Sequence, residues 1–457
     1  MTDTVYDMVV LGAGSGGYAA ALRGAQLGLS VALIEADKVG GTCLHRGCVP
    51  TKAILHAAET AEAVREAGAL GIRAQLEGID MHAVNAYKDG VVTRMYKGLQ
   101  GLVSSRGIEV VNGWGRLVAK DAVEVDGRVI RGRNIVLASG SYSKTIGQQI
   151  DDKVLTSEGA LQMDHVPSSA VVLGGGVIGV EFASAWASLG CQVTIIEGLD
   201  HLVPNEDEAI SKMLERSFRK RKIAFKTKTM FSSVDRTEAG VSVHTQDGAT
   251  YEAEVLLIAV GRGPATANLG YEEVGVAMDR GFVLADEHGR TNVEGVWAVG
   301  DIVPGVQLAH RGFAQGIVVA ETIAGLSPEP VDDVKVPKVT FCEPEIASVG
   351  LSEAKAKEIH GADNVTTAEF NVAGNAKSQI LGTQGFVKLV SVKDGPIVGF
   401  HAIGARMGEQ VGEGQLIVSW EADAADVASL IHAHPTQNET IGEAAMVLAG
   451  KALHNHD

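Results

Sequence analysis

The hydrophobic positions of this chain fall into short apolar runs, and two of them open the same larger pattern. Residues 6–11 read YDMVVL, a strand-like run. Gly12-Ala13-Gly14-Ser15-Gly16-Gly17 follows, then an alanine-rich stretch of helical character reaching Gly28. A second apolar run, Val31 to Ile34, closes on Glu35. The order is strand, G-x-G-x-x-G, helix, strand, acid, which is the full context of a dinucleotide-binding unit. Its parts have separate physical reasons. The glycines allow a tight turn and close approach to a pyrophosphate, whose charge sits at the helix N-terminus. The acid at the second strand end is placed to accept from ribose hydroxyls.

The unit recurs. Ala170 to Leu173 lead into Gly174-Gly175-Gly176-Val177-Ile178-Gly179, a helix, and Val193 to Ile196 ending at Glu197. Glu197 follows Gly174 by the same interval as Glu35 follows Gly12. One glycine-rich turn is weak evidence; two in matching context predict two bound dinucleotides. An acid ending the second strand suits a free 2′-hydroxyl, whereas a 2′-phosphate calls for Arg nearby. Glu197 is followed by Gly198, Leu199 and Asp200, so the second unit is expected to take NAD rather than NADP. A third run, Thr291 to Val299, reads as an apolar strand ending in Gly300-Asp301. There Asp301 would accept a flavin ribityl hydroxyl, which assigns FAD to the first unit. Two shorter strand-to-glycine turns, Ile135 to Gly140 and Val255 to Gly261, close the two regions.

Composition narrows the setting. There are 56 glycines in 457 residues, roughly one in eight against a usual level of about 7%, with no collagen period. The length suits about three domains. A formal net charge of −17 argues against a nucleic-acid partner, which would need clustered Lys and Arg. No run approaches the roughly 18 apolar residues of a membrane span. The opening MTDTVYD shows no secretory signal, so a cytoplasmic protein is expected. Four cysteines are too few for a disulfide scaffold, and in a reducing compartment a disulfide would be transient and catalytic.

Two of those cysteines stand in GGTCLHRGCVPTK, residues 40–52. At i and i+5 on an ideal helix their Cα atoms would lie roughly 8 to 9 Å apart, beyond the disulfide limit of about 7 Å. A bridge between Cys43 and Cys48 therefore needs a distorted first turn, which Gly41, Gly47 and Pro50 are able to supply. A thiolate near a helix N-terminus and Arg46 would be reactive. A metal site is the rival, but it wants four ligands, usually with C-x2-C spacing. Cys191 and Cys342 stand alone in apolar surroundings and read as small core residues, so no metal is expected. Near the end, His432-Ala433-His434-Pro435-Thr436-Gln437-Asn438-Glu439 precedes an apolar helix, Ile441 to Leu448. Thr436-x-x-Glu439 is a capping box for that helix, which alone would account for it. A dithiol oxidase also needs a base active near pH 7, and histidine is the natural candidate.

The cysteine motif resembles that of the class I pyridine nucleotide–disulfide oxidoreductases, and above all of their dihydrolipoamide-oxidising members. The likeness runs through the chain in order: FAD unit, cysteine pair, NAD unit, Gly-Asp strand, C-terminal interface domain. It implies an α/β fold of two Rossmann-like dinucleotide-binding domains plus a C-terminal α+β dimerisation domain. The implied segments are 1–143 and 266–335 for FAD, 144–265 for NAD and 336–457 for the interface. By this resemblance Cys43 attacks the substrate and Cys48 faces the flavin. Lys52 is the lysine at the reactive flavin edge, and Glu181 is its ion-pair partner. His434 in H-P-T-x-x-E is the base, oriented by Glu439, and it serves the disulfide of the other subunit; His432 has no match and reads as structural.

The implied enzyme is a homodimer that oxidises dihydrolipoamide on a lipoyl-bearing protein of a 2-oxo-acid dehydrogenase complex. Glutathione-type reductases carry Arg after the second strand. Mercuric reductases and large thioredoxin reductases carry a further C-terminal cysteine pair, where this chain reads LHNHD. Reduction of a mycothiol-like disulfide and a mainly docking role remain as alternatives. The family usually has Asn-Val where His45-Arg46 stand between the cysteines, which bears on substrate preference and redox poise. It commonly has Ala-Thr-Gly where Ala138-Ser139-Gly140 stand, a change that keeps the hydroxyl.

Overall fold

The computed structural model describes residues 4–455. The chain forms two compact units. The first gathers residues up to 54 with 82–144 and 262–333; the second holds 55–81, 145–261 and 334 onward.

The first unit is built on a sheet whose parallel core runs Glu109–Asn112, Val31–Glu35, Val5–Leu11, Arg128–Leu137. The ten-residue strand Arg128–Leu137 changes neighbour along its length. Its start pairs antiparallel with Ala122–Val125, which continues to Gly115–Ala119, while its end pairs parallel with Val296–Ala298. The central strands read as unbroken apolar runs because both faces are covered. Met8 and Val10 pack with Ala20 and Ala21 of the helix Ser15–Gln26. Val9 and Leu11 pack on the other side with Val123, Leu269 and Tyr271. That helix crosses Ala309–Ile323 closely enough that a Cβ on Gly316 would strike the backbone of Gly16 and Ala20. The apolar run at 291–299 yields only three residues of strand, Val296–Ala298. A turn closed by Val296 N to Val293 O, with Gly295 at φ +81°, takes the rest.

The second unit repeats the plan. Its parallel sheet has the order Ala224–Lys226, Gln192–Ile196, Ser169–Leu173, Val255–Ile258, Val154–Leu155. The helix Val177–Leu189 packs against it, and an antiparallel sheet, Phe231–Arg236, Val241–Thr245 and Thr250–Ala253, covers Val171, Leu173 and Leu256. The C-terminal part is a five-stranded antiparallel sheet in the order Lys338–Thr340, Glu345–Gly350, Ile397–Gly404, Phe386–Val392, Val365–Asn371. Helices Met407–Ser419 and Glu439–Leu448 lay Ile417, Val418, Ile441 and Ala444 on Phe400, Leu389 and Val349. The fold is thus α/β, with two parallel dinucleotide-type sheets and a C-terminal α+β layer. Among the described residues no helix is long and apolar enough to cross a membrane.

Candidate active site

Each glycine motif forms the same cradle. Gly12 has φ +101° and Gly174 +105°. A Cβ on Gly12 would strike the Ala138 carbonyl, and one on Gly174 the Ala259 carbonyl. Gly17 lies against Gly12 O and Gly179 against Gly174 O, again with no room for a Cβ. Gly14 and Gly176, by contrast, face open space and are the N-caps of Ser15–Gln26 and Val177–Leu189. Neither helix start receives a side-chain cap. Unblocked amides at a helix N-terminus, reached through a side-chain-free turn, are what a pyrophosphate requires. The chain's own residues therefore fit two dinucleotides.

The acids at the second strand ends are turned towards their own loops. Glu35 accepts from Ala13 N at 2.7 Å and Asp37 N at 2.9 Å. Glu197, buried, accepts from Gly175 N at 2.6 Å and Leu199 N at 2.7 Å. Each carboxylate thus clamps its glycine turn. Sequence spacing put no cation after Glu197, but strand pairing supplies lysines. Glu197 N bonds Lys226 O, Lys228 N bonds Leu199 O, and Lys228 Nζ lies 3.3 Å from Asp200.

Gly140 and Gly261 make positive-φ turns at +76° and +102° with open space at the Cβ position. Asp301 follows Gly300, itself at φ +77°. Its carboxylate accepts from Ser141 Oγ, whose oxygen in turn receives Arg262 Nε at 2.7 Å. The guanidinium also bonds Ser141 O at 2.7 Å and Ser143 Oγ at 3.1 Å. Ser141 and Arg262 give no sequence signal; the short antiparallel pair Ser141–Ser143 and Arg262–Pro264 brings them to Asp301.

The cysteines lie in a broken helix. Gly41–Arg46 ends at Gly47, which has φ −142° and ψ −111°, and Cys48–Glu66 begins at once. The break brings the two thiols together, and they hydrogen-bond to each other. Gly40 N bonds Ala13 O at 2.8 Å, which fixes this segment on the first glycine loop. The Cys43 thiol is pushed far above its ordinary value by its hydrogen bond to Cys48 and then by burial; Lys52, one turn into the second helix, opposes this. Arg46 lies 3.5 Å from Asp37. His45 contacts Val39 O at 3.0 Å, and its ring meets Tyr96 edge-on. Tyr18 was not singled out by the sequence; burial pushes its phenol up to about 12. Cys191 and Cys342 are buried.

In the second unit Glu181 is buried on Val177–Leu189 and accepts from Phe341 N at 2.9 Å. His434, largely exposed, places Nδ1 2.8 Å from Glu439 Oε1. Glu439 Oε2 accepts from Thr436 N at 2.8 Å, but Thr436 Oγ1 donates to Ala433 O. Only the glutamate half of the expected capping box forms, and Asn438 is the N-cap.

Two pyrophosphate cradles, with a dithiol packed on one of them and a carboxylate-held histidine elsewhere in the chain, define a nucleotide-dependent dithiol–disulfide oxidoreductase. The comparisons agree. Residues 6–316 match the family described as pyridine nucleotide-disulphide oxidoreductase, and residues 336–445 match its dimerisation domain. A dihydrolipoyl dehydrogenase of Bacillus subtilis is 37% identical, covering 99% of both chains. A leghemoglobin reductase of Glycine max is 36% identical over 98% of this chain and 88% of its own. The crystal structure of LpdA from Mycobacterium tuberculosis superposes with TM-score 0.90 at 27% identity, covering 96% of this chain and 99% of that one. The chain belongs to the pyridine nucleotide-disulphide oxidoreductase family.

Proposed function

We propose that this protein is a dihydrolipoyl dehydrogenase, a flavoprotein that oxidises dihydrolipoamide to lipoamide with NAD as acceptor. The observation that carries the reading is the thiol pair of Cys43 and Cys48, held in a broken helix against the first glycine cradle. FAD, when bound, supplies the two-electron acceptor that links the dithiol to NAD. The first unit's cradle, Gly12, Gly14 and Gly17 with Glu35, takes the FAD pyrophosphate and adenosine. Asp301 serves the ribityl chain, steadied by Ser141 and Arg262, and Gly140 closes the turn. Gly174, Gly176, Gly179 and Glu197 take NAD, with Gly261 at the matching turn. Lys52 and Glu181 are assigned to the reactive edge of the flavin by family resemblance.

The dithiol step follows from the chain's own groups. His434 accepts a proton from one substrate thiol at Nε2, because Nδ1 is engaged by Glu439. The substrate thiolate attacks Cys43 Sγ, a new S–S bond forms, the Cys43–Cys48 bond breaks, and Cys48 leaves as thiolate. The second substrate thiol then displaces Cys43 and passes it its proton, so that Cys43 leaves as a thiol and the cyclic disulfide departs. The raised proton affinity of Cys43, set by its hydrogen bond to Cys48 and by burial, fits its leaving as a thiol.

We assign 1–143 and 266–335 to FAD binding, 144–265 to NAD binding and 336–457 to the subunit interface. The working form is a homodimer in which His434 and Glu439 serve the partner's disulfide. Lipoyl-bearing proteins of a 2-oxo-acid dehydrogenase complex deliver the substrate in the cytoplasm. The test is steady-state reduction of NAD by dihydrolipoamide with the purified yellow protein, beside NADPH-dependent reduction of glutathione and other disulfides. Fast NAD reduction is expected; brisk NADPH oxidation with another disulfide and no lipoamide turnover would overturn the reading.

A further inference from the structure

The turn that carries His434 holds a second histidine–carboxylate pair that the chemistry above leaves unused. His432 Nε2 lies 2.7 Å from Glu413 Oε1, with the ring largely covered. The other oxygen of Glu413 accepts the side-chain amide of Asn438. One carboxylate on the helix Met407–Ser419 therefore holds both ends of the segment 432–438, with His434 between them. Asn438 is the N-cap of Glu439–Leu448 yet makes no capping bond with its side chain. Asparagine at that position ordinarily accepts from the helix's first amides, and here the side chain donates to Glu413 instead. Gly442 completes the arrangement, since a Cβ there would stand 2.6 Å from His432 Nδ1.

The charges converge. Glu413, from Met407–Ser419, and Glu439, from the first turn of the last helix, are the acids that face His432. The imidazole is held above its ordinary value by its hydrogen bond to Glu413, against the effect of burial, and the charges of Glu413 and Glu439 add to this. Glu439 is held below the usual carboxylate range. Burial works against this, but the Thr436 amide, His434 and the charge of His432 together outweigh it.

We propose that His432, protonated and clamped by Glu413, is a positioning residue for the base: it anchors one end of the turn and adds positive charge beside Glu439, so that Glu439 holds Nδ1–H of His434 and leaves Nε2 to take the substrate proton. The proposal rests on His434 being the base. His432 itself touches no reacting atom.

The experiment measures the pH profile of kcat/KM for dihydrolipoamide in the holoenzyme, for the wild type, H432Q, H432K and, as reference, H434Q. Without the cation the His434–Glu439 pair holds a proton more tightly. In H432Q the acid limb is expected to move up by about half a pH unit, a roughly threefold change in that ionisation. H432K, which restores the charge beside Glu413, is expected to bring the limb back. A lower rate in H432Q with an unmoved limb would mean a merely structural role and overturn the proposal. H432N makes the same measurement if H432Q does not fold. An H434Q variant that keeps most of its turnover would sink the base assignment itself, and the proposal with it, whatever the H432Q profile.

Discussion

Gly41 rests on Gly14: a Cβ on Gly41 would stand 2.6 Å from the Gly14 Cα, and Gly41 has φ +56°. The short helix bearing Cys43 is therefore laid directly on the loop that ends the first glycine motif. The dithiol and the nucleotide cradle are one construction, and a change at the contact disturbs both. The variant G41A is expected to purify with markedly less FAD. What flavin it retains should be reduced by dihydrolipoamide at least about tenfold more slowly, since small displacements of reacting groups are costly. Flavin content and stopped-flow reduction at the flavin absorbance band check this, and a fully loaded, fast variant would contradict it.

The two cradles should fail separately. In both G12A and G174A the new Cβ meets a backbone carbonyl at a strongly positive φ, a strain of about 1–3 kcal/mol beyond the steric clash. G12A is expected to yield colourless apoprotein. G174A should stay yellow and let dithiol reduce its flavin normally, with KM for NAD raised about tenfold or more. Loss of flavin from G174A would contradict the assignment of the second cradle to NAD.

Glu197 braces Gly175 and Leu199, and the proposed assignment gives it a second task, presenting negative charge to the ribose of NAD. Glutamine keeps one acceptor oxygen and loses the charge. Charge-assisted hydrogen bonds are worth about 1.5–3 kcal/mol, so E197Q should raise KM for NAD roughly tenfold or more. It should also narrow the preference over NADP, because Lys228 stands at the Asp200 carboxylate two hydrogen bonds away along the same loop. The ratio of kcat/KM for the two nucleotides reads this; an unchanged ratio would count against the carboxylate as discriminator.

Stability has its own pH signature. Burial pushes the Glu343 carboxyl up to about 7, against the opposing charge of Arg221. A carboxyl raised in the fold costs nothing while both states are protonated. The cost builds as pH rises from the ordinary carboxylate range to about 7, and stays above it. E343Q removes that cost. Its Tm is expected to match the wild type near pH 4 and to exceed it by about 2–5 °C at pH 8. A difference independent of pH would contradict the account.

Much of this was legible in the sequence because it is local. Glycine spacing, a cysteine pair and H-P-T-x-x-E are each set within a few residues. Strand pairing was not legible. The Lys226 carbonyl reaches Glu197 N, and Lys228 reaches Leu199 and Asp200, only because Ala224–Lys226 lies beside Gln192–Ile196. Ser141 and Arg262 reach Asp301 through another distant pairing. Hydroxyl geometry was equally hidden: Thr436 matches a capping box in sequence, yet its hydroxyl turns back to Ala433. The inward turn of Glu35 and Glu197 had a reason no spacing reveals, since each glycine turn leaves amides that need an acceptor.

The most direct test is anaerobic mixing of the oxidised holoenzyme with dihydrolipoamide, in wild type and in H434Q, followed by flavin absorbance. The account predicts rapid reduction in the wild type, reversed on adding NAD, and reduction slowed by about 10²–10⁴ in H434Q, the usual worth of a general base. Flavin that dihydrolipoamide leaves oxidised in the wild type, or reduces equally fast in both proteins, would contradict it.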